Sequence, residues 1–221
     1  MSKIINCVIK VGEARAEWWK KHMSSLLPNI NFFLLKENYD NDKIDLAIVW
    51  KPESGWLKTL KNLRCIISLG SGIDHILCDP DLPKDVPIIK TTGEDLKIRM
   101  REYVVLHVLK HHRNLSAVIK ARNTNQWKQV IEPPANKRII GIMGLGNLGL
   151  DCAITLKNLG FKVNGWSSSK KNIDGINTFT GEKELTKFLK KIDILVCMLP
   201  LTPKTKGILN LELFNNVEKE F

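Results

Sequence analysis

The run RIIGIMGLGNLG, residues 138–149, joins an apolar, β-branched stretch to glycines at 144, 146 and 149. Three glycines alone can mark any turn. Here the strand-like RIIGIM runs straight into them, a helix is expected to open at about Asn147, and a second strand, FKVNGW (161–166), follows about twenty residues on, as a dinucleotide-binding βαβ unit requires. Each position has its own demand. Gly144 permits the tight turn, Gly146 lets a pyrophosphate approach the backbone, and Gly149 lets helix and strand pack closely. Backbone amides around Asn147 and Leu148, together with the helix dipole, would then meet the phosphates.

The end of the second strand selects the nucleotide. A carboxylate there would accept hydrogen bonds from the adenosine ribose and repel a 2′-phosphate, but GWSSSKK (165–171) contains none. Trp166, Ser167, Ser168, Ser169, Lys170 and Lys171 are therefore the expected cofactor contacts at this strand end. The three hydroxyls and two cations suit a 2′-phosphate, so NADP(H) is expected in preference to NAD(H).

Outward from this unit the chain alternates short apolar runs with longer amphipathic ones. Strands are expected at 4–11, 30–35, 45–50, 65–70 and 86–92, and helices at 13–27, 56–63 and 73–77, with a turn at Ser71-Gly72. Near-continuous apolar strands with crossovers between them mark a doubly wound α/β domain. From Glu94 to about Lys120 there is no proline, and apolar residues recur at helical spacing, which predicts one long helix bridging two domains. After the polar segment 122–137, with its Pro133-Pro134 stop, the alternation resumes through a helix to about Leu159, a helix at 182–191 and a strand at 193–199. The domains are thus read as 1–98 and 99–221.

Composition bounds the rest. The chain has 221 residues, is 43% hydrophobic and 26% charged, and carries a formal charge of +11, which suits a folded protein rather than a disordered tail. Its lysines are scattered, with no basic-aromatic cluster, so the charge reads as a solvated surface and nucleic acid is not an expected partner. Cys7, Cys65, Cys78, Cys152 and Cys197 show no CxxC spacing and fit reduced thiols rather than disulfides or a metal site. No apolar run reaches the ~18–20 residues of a membrane span, and IINCVIKV lacks a signal-peptide cleavage site, so a cytoplasmic location is expected.

Seven blocks in order resemble the D-isomer-specific 2-hydroxyacid dehydrogenases, most closely their glyoxylate/hydroxypyruvate reductase A branch: LAIVWKP (46–52), SLGSGIDHIL (68–77), REYVVLHVL (101–109), NTNQWKQ (123–129), IIGIMGLGNLG (139–149), GWSSSKK (165–171) and MLPLTPKTKGILN (198–210). The resemblance implies a flavodoxin-like substrate domain followed by a partial Rossmann dinucleotide-binding domain, and NADPH-dependent reduction of small 2-keto acids to 2-hydroxy acids. It places the substrate carboxylate on the amides of Ser71 and Gly72, with Trp50 as an apolar wall, and sets Leu199, Pro200 and Thr202 beside the nicotinamide ribose. Family members are usually dimers, so a homodimer is an open expectation.

The same resemblance puts the catalytic Arg in an N-x-x-R-G block, with a Glu and a His further on. The chain stops at Phe221 before all three, which points to a product cut off in mid-domain. The alternative is a noncatalytic NADP-binding protein or partner subunit. His22, His75, His107, His111 and His112 are read as surface or interdomain groups, and no residue is assigned as catalytic.

Overall fold

A computed structural model of the chain describes residues 4–217. The chain divides between Thr92 and Gly93 into two compact units, six residues before the boundary read from sequence, because the helix that opens at Glu94 belongs wholly to the second unit. Charge divides unevenly with it. Residues 1–92 hold 13 Lys+Arg against 11 Asp+Glu, and residues 93–221 hold 21 against 12, so +9 of the +11 lies in the second unit.

The first unit is a five-stranded parallel sheet, β1 (Ile5–Lys10), β2 (Ile30–Leu34), β3 (Leu46–Val49), β4 (Cys65–Ser68) and β5 (Ile88–Lys90), in the flavodoxin-like order β2-β1-β3-β4-β5. Register sets Val8 beside Ala47 and Ala47 beside Ile66, all fully buried, so one row of apolar side chains crosses the middle of the sheet. Residues one step along point to the other face: Cys7, Ile9 and Ile48 meet Trp19 and Met23 of α1 (Glu13–Leu26). The opposite face is covered by Leu57, Leu60 and Leu63 and by Ile76 of the short α2 (Asp74–Leu77). The helix expected over 56–63 is absent. Only Leu57–Thr59 is a 3₁₀ turn, and the chain bonds three residues back at Thr59, Leu60 and Leu63, which aims all three leucines inward at their spacing of three.

In the second unit the expected single helix is two, α3 (Glu94–His112) and α4 (Leu115–Asn123). The break is at Asn114, whose left-handed backbone (φ 46°, ψ 46°) an asparagine tolerates better than most residues. Val104, Val108 and His112 recur every four residues along the face that α3 buries. It packs on α5 (Asn147–Asn158), where Arg101 also makes a two-pronged ion pair with Asp151 (2.9 and 2.8 Å).

Behind these helices lies a parallel sheet of β6 (Ile139–Met143), β7 (Lys162–Ser167), β8 (Asn177–Thr180) and β9 (Ile194–Cys197), in the order β8-β7-β6-β9, with α6 (Gly181–Leu189) and α7 (Leu211–Asn215) following in the chain. This is the Rossmann order 3-2-1-4. Neither β8 nor α7 is legible in the sequence. The edge strand NTFT buries only Phe179, so it carries no apolar run. No helix among the described residues is long and apolar enough to cross a membrane.

Candidate functional site

In the second unit the strand order reverses direction at β6 and β9, and ligands of open α/β sheets bind outside the carboxyl ends of such a strand pair. β6 leads into the turn 144–149 and β9 into the loop that begins at Met198. The two meet directly: the Met198 amide donates to the Met143 carbonyl (2.7 Å), and a Cβ on Gly144 would lie 2.9 Å from the Met198 carbonyl oxygen. Gly144 also has φ +99°, a conformation side chains avoid. A Cβ on Gly149 would collide with the Gly144 carbonyl oxygen.

Gly146 is different. Its backbone is extended, and a Cβ there would find no protein atom within 4 Å. Protein packing therefore explains the outer glycines, while the middle one keeps open the space in front of α5. The amides of Gly146, Asn147 and Leu148 donate to no protein acceptor among the described residues. Free amides facing an open space at the start of a twelve-residue helix fit a phosphate group. Leu145, which sequence reasoning passed over, is 3% exposed and fills the space above Gly165, where a Cβ would lie 2.6 Å from its Cδ1, so it anchors the turn to β7.

At the end of β7 the candidate contacts separate into two groups. Trp166 is buried beside Met143, Phe179 and Phe188, with its indole donating to the Gly181 carbonyl (2.9 Å). Ser167 is buried too, and its hydroxyl donates to the Ser169 carbonyl (2.6 Å), which curls the chain back. Ser168, Ser169, Lys170 and Lys171 are exposed, and neither lysine makes an ion pair among the described residues. Thr178 donates to the Lys171 carbonyl (2.8 Å) and steadies that end of the loop.

Across the strand pair, Leu199 packs against the Met143 cluster and lies 3.2 Å from the position of a Gly144 Cβ. Pro200 is exposed and Thr202 half-buried. Both are held by Thr205, whose hydroxyl donates to the Pro200 carbonyl (2.5 Å) and accepts from the Thr202 amide (2.8 Å). The sequence offered a signal for this clamp in the two threonines of PLTPKT.

In the first unit the Ser71-Gly72 turn follows β4. Ser68, with no exposed surface, accepts from the Gly70 amide (3.2 Å) and sets its hydroxyl against the carbonyls of Gly70 (3.3 Å) and Gly72 (3.4 Å). Those carbonyls are thereby turned inward. The amides of Ser71 and Gly72 have no protein acceptor among the described residues, which leaves both N–H groups able to donate to an anion. Trp50, just past β3 and 44% exposed, lays its six-membered ring on Gly70, where any Cβ would collide with it.

The histidines fall elsewhere than expected in one case. His112 is 4% exposed and set edge-on to Phe161 (4.9 Å), inside the second unit rather than on its surface. Among the described residues no group of three or more His, Cys, Asp or Glu could hold a metal ion.

Residues 105–221 match the family model of the D-isomer specific 2-hydroxyacid dehydrogenase NAD binding domain. Glyoxylate/hydroxypyruvate reductase A of Photorhabdus laumondii is 36% identical over 209 residues, 92% of this chain and 66% of that protein. The enzyme of the same name from Yersinia enterocolitica is 33% identical over 207 residues, 91% of this chain and 66% of its own length. The chain thus spans about two thirds of these relatives. Among solved structures, the NADPH-dependent glyoxylate/hydroxypyruvate reductase of Sinorhizobium meliloti in complex with NADP and sulfate superposes with a TM-score of 0.88 at 34% identity, covering 96% of this chain and 68% of that one. With a matched NAD-binding region over more than half its length and relatives alike across both units, the chain belongs to the D-isomer specific 2-hydroxyacid dehydrogenase family.

Proposed function

We propose that the chain is the cofactor-binding and carboxylate-binding portion of an NADPH-dependent reductase of small 2-keto acids, of the glyoxylate and hydroxypyruvate class. The observation that carries this reading is the open space at Gly146 in front of free amides, flanked by exposed Ser168, Ser169, Lys170 and Lys171. A nicotinamide dinucleotide supplies the hydride when bound. The chain's own residues do the holding: the amides of Gly146, Asn147 and Leu148 take the pyrophosphate, and Ser168, Ser169, Lys170 and Lys171 take the 2′-phosphate. The loop clamped by Thr205 presents Leu199, Pro200 and Thr202 to the nicotinamide side. In the first unit Ser71 and Gly72 receive the substrate carboxylate beside Trp50.

Reduction of a carbonyl also needs a cation to polarise it and an acid to protonate the developing alkoxide. None of the 221 residues stands in the N-x-x-R-G pattern that the family resemblance assigns to the cation. The roles proposed for these residues are therefore those of binding, in a cytoplasmic and homodimeric setting like that expected of the family.

Two measurements test it. Titration by intrinsic fluorescence should show NADPH bound more tightly than NADH, and Lys170→Ala with Lys171→Ala should remove the difference; a combined contribution of about 1.5–3 kcal/mol from the two exposed lysines, the size of one charge-assisted contact, predicts a ten- to hundredfold preference. Equal affinities in the unsubstituted protein would sink the NADP assignment. NADPH oxidation with glyoxylate should be undetectable, and steady turnover would show that the proton donor lies within these residues.

A further inference from the structure

His75 is a buried-edged ring with no hydrogen-bond partner for its Nε2 atom among the described residues. A polar atom withdrawn from water and left unpaired shows that hydrogen bonding at Nε2 does not set the position of the ring. The contact is with Trp50: the ring centroids are 4.6 Å apart with planes at 47°, a tilted aromatic pair. The indole is therefore held on two sides. Gly70 provides a floor without a side chain, so the six-membered ring can lie against its backbone, and His75 provides the wall. Both come from the ten residues 68–77 that also form the Ser71-Gly72 turn, with Ser68 pinning Gly70 and α2 carrying His75.

We propose that His75 is a positioning residue that holds the Trp50 indole in place as the wall of the Ser71-Gly72 carboxylate site. The inference rests on the reading of that turn given above. His75 acts through the faces of its ring rather than through a proton. Burial keeps the imidazole below its ordinary pKa, with Asp74 opposing and Lys51 reinforcing the shift, so the neutral ring is the stacking form near neutral pH. Asp74, its neighbour on α2, and Lys51, which follows Trp50 after β3, are the charged groups that act on it.

The test uses the full ¹⁵N-labelled chain, with the Trp50 indole N–H resonance assigned by Trp50→Phe and glyoxylate as the probe. In the unsubstituted protein, glyoxylate should shift the Ser71 and Gly72 amides, and the Trp50 resonance should follow a titration below pH 6.5. His75→Ala should move the Trp50 resonance toward that of a free indole and weaken glyoxylate about tenfold. His75→Phe, which keeps an aromatic face, should restore both while abolishing the pH response. An unmoved Trp50 resonance in His75→Ala, or no pH response at Trp50 in the unsubstituted protein, overturns the proposal; the second reading holds even where His75→Ala fails to fold. If glyoxylate leaves Ser71 and Gly72 unshifted while Trp50 responds as described, the carboxylate reading of the turn falls, and His75 remains the group that fixes Trp50.

Discussion

Alanine at Gly146 and alanine at Gly149 should have opposite effects, although the positions are three residues apart in one motif. At Gly149 the new Cβ falls on the carbonyl oxygen of Gly144, a backbone atom that cannot swing aside. Overpacking of this kind costs about 1–3 kcal/mol. For a chain of this size, that lowers the melting temperature by roughly 2–4 °C per kcal/mol. At Gly146 the Cβ meets nothing within 4 Å and the backbone has φ −72°, so alanine should leave the fold intact or stabilise it by about 0.4–1 kcal/mol through the unfolded chain. The same methyl would stand where a pyrophosphate oxygen approaches the amides. Loss of one charge-assisted contact, about 1.5–3 kcal/mol, means ten- to hundredfold weaker NADPH. Thermal denaturation and a fluorescence titration on both variants decide the matter. Undiminished NADPH affinity in Gly146→Ala, or equal destabilisation by the two substitutions, would refute the division of the motif into packing and ligand positions.

Two further outcomes follow from burial. Cys7 and Cys152 are pushed up to about 12 and about 11, chiefly by desolvation, whereas Cys78 and Cys197 are exposed. A thiol reagent at pH 8 should therefore label Cys78 and Cys197 quickly and reach Cys7 and Cys152 only on unfolding, a difference that peptide mass mapping reads directly; rapid labelling of Cys152 would contradict its place in the core. His112 is held below its ordinary pKa by burial first, then by Arg138 and Arg113. Between that lowered value and about 6.5 the unfolded state binds the extra proton, so stability should be complete above pH ~6.5 and fall as pH drops through the window. His112→Phe should flatten part of that dependence in urea titrations between pH 5 and 7, and an unchanged slope would remove His112 from the account.

What the sequence made legible was the backbone plan of both units, because parallel strands buried on two faces write themselves as apolar runs: Ile140 and Ile142, like Val8 and Ile9, have no solvent face to encode. Elements that bury one side chain left no such trace, as with Phe179 in β8 and Leu213 in α7. The break at Asn114 escaped because periodicity continues on either side of it, and only the residue's tolerance of a left-handed backbone hints at a stop. At the site, the glycine spacing and the Ser-Lys strand end were visible as chemistry. Their inward members were not, since nothing local distinguishes the hydroxyl of Ser167, spent on the Ser169 carbonyl, from those of Ser168 and Ser169. Likewise the roles of Ser68 and Leu145 exist only once the chain has folded them against their partners.

The uneven division of charge bears on time rather than affinity. A dinucleotide phosphate is a multiply charged anion, and the unit read as receiving it carries 21 Lys+Arg against 12 Asp+Glu while the other is close to balanced. Such a field draws the ligand in before any contact forms and orients its arrival toward one half of the protein. Encounter would be fast in dilute buffer and slow steeply as added salt shortens the reach of the field to about 8 Å at physiological ionic strength. Lysines of this unit other than Lys170 and Lys171 would then still govern how often the nucleotide is met.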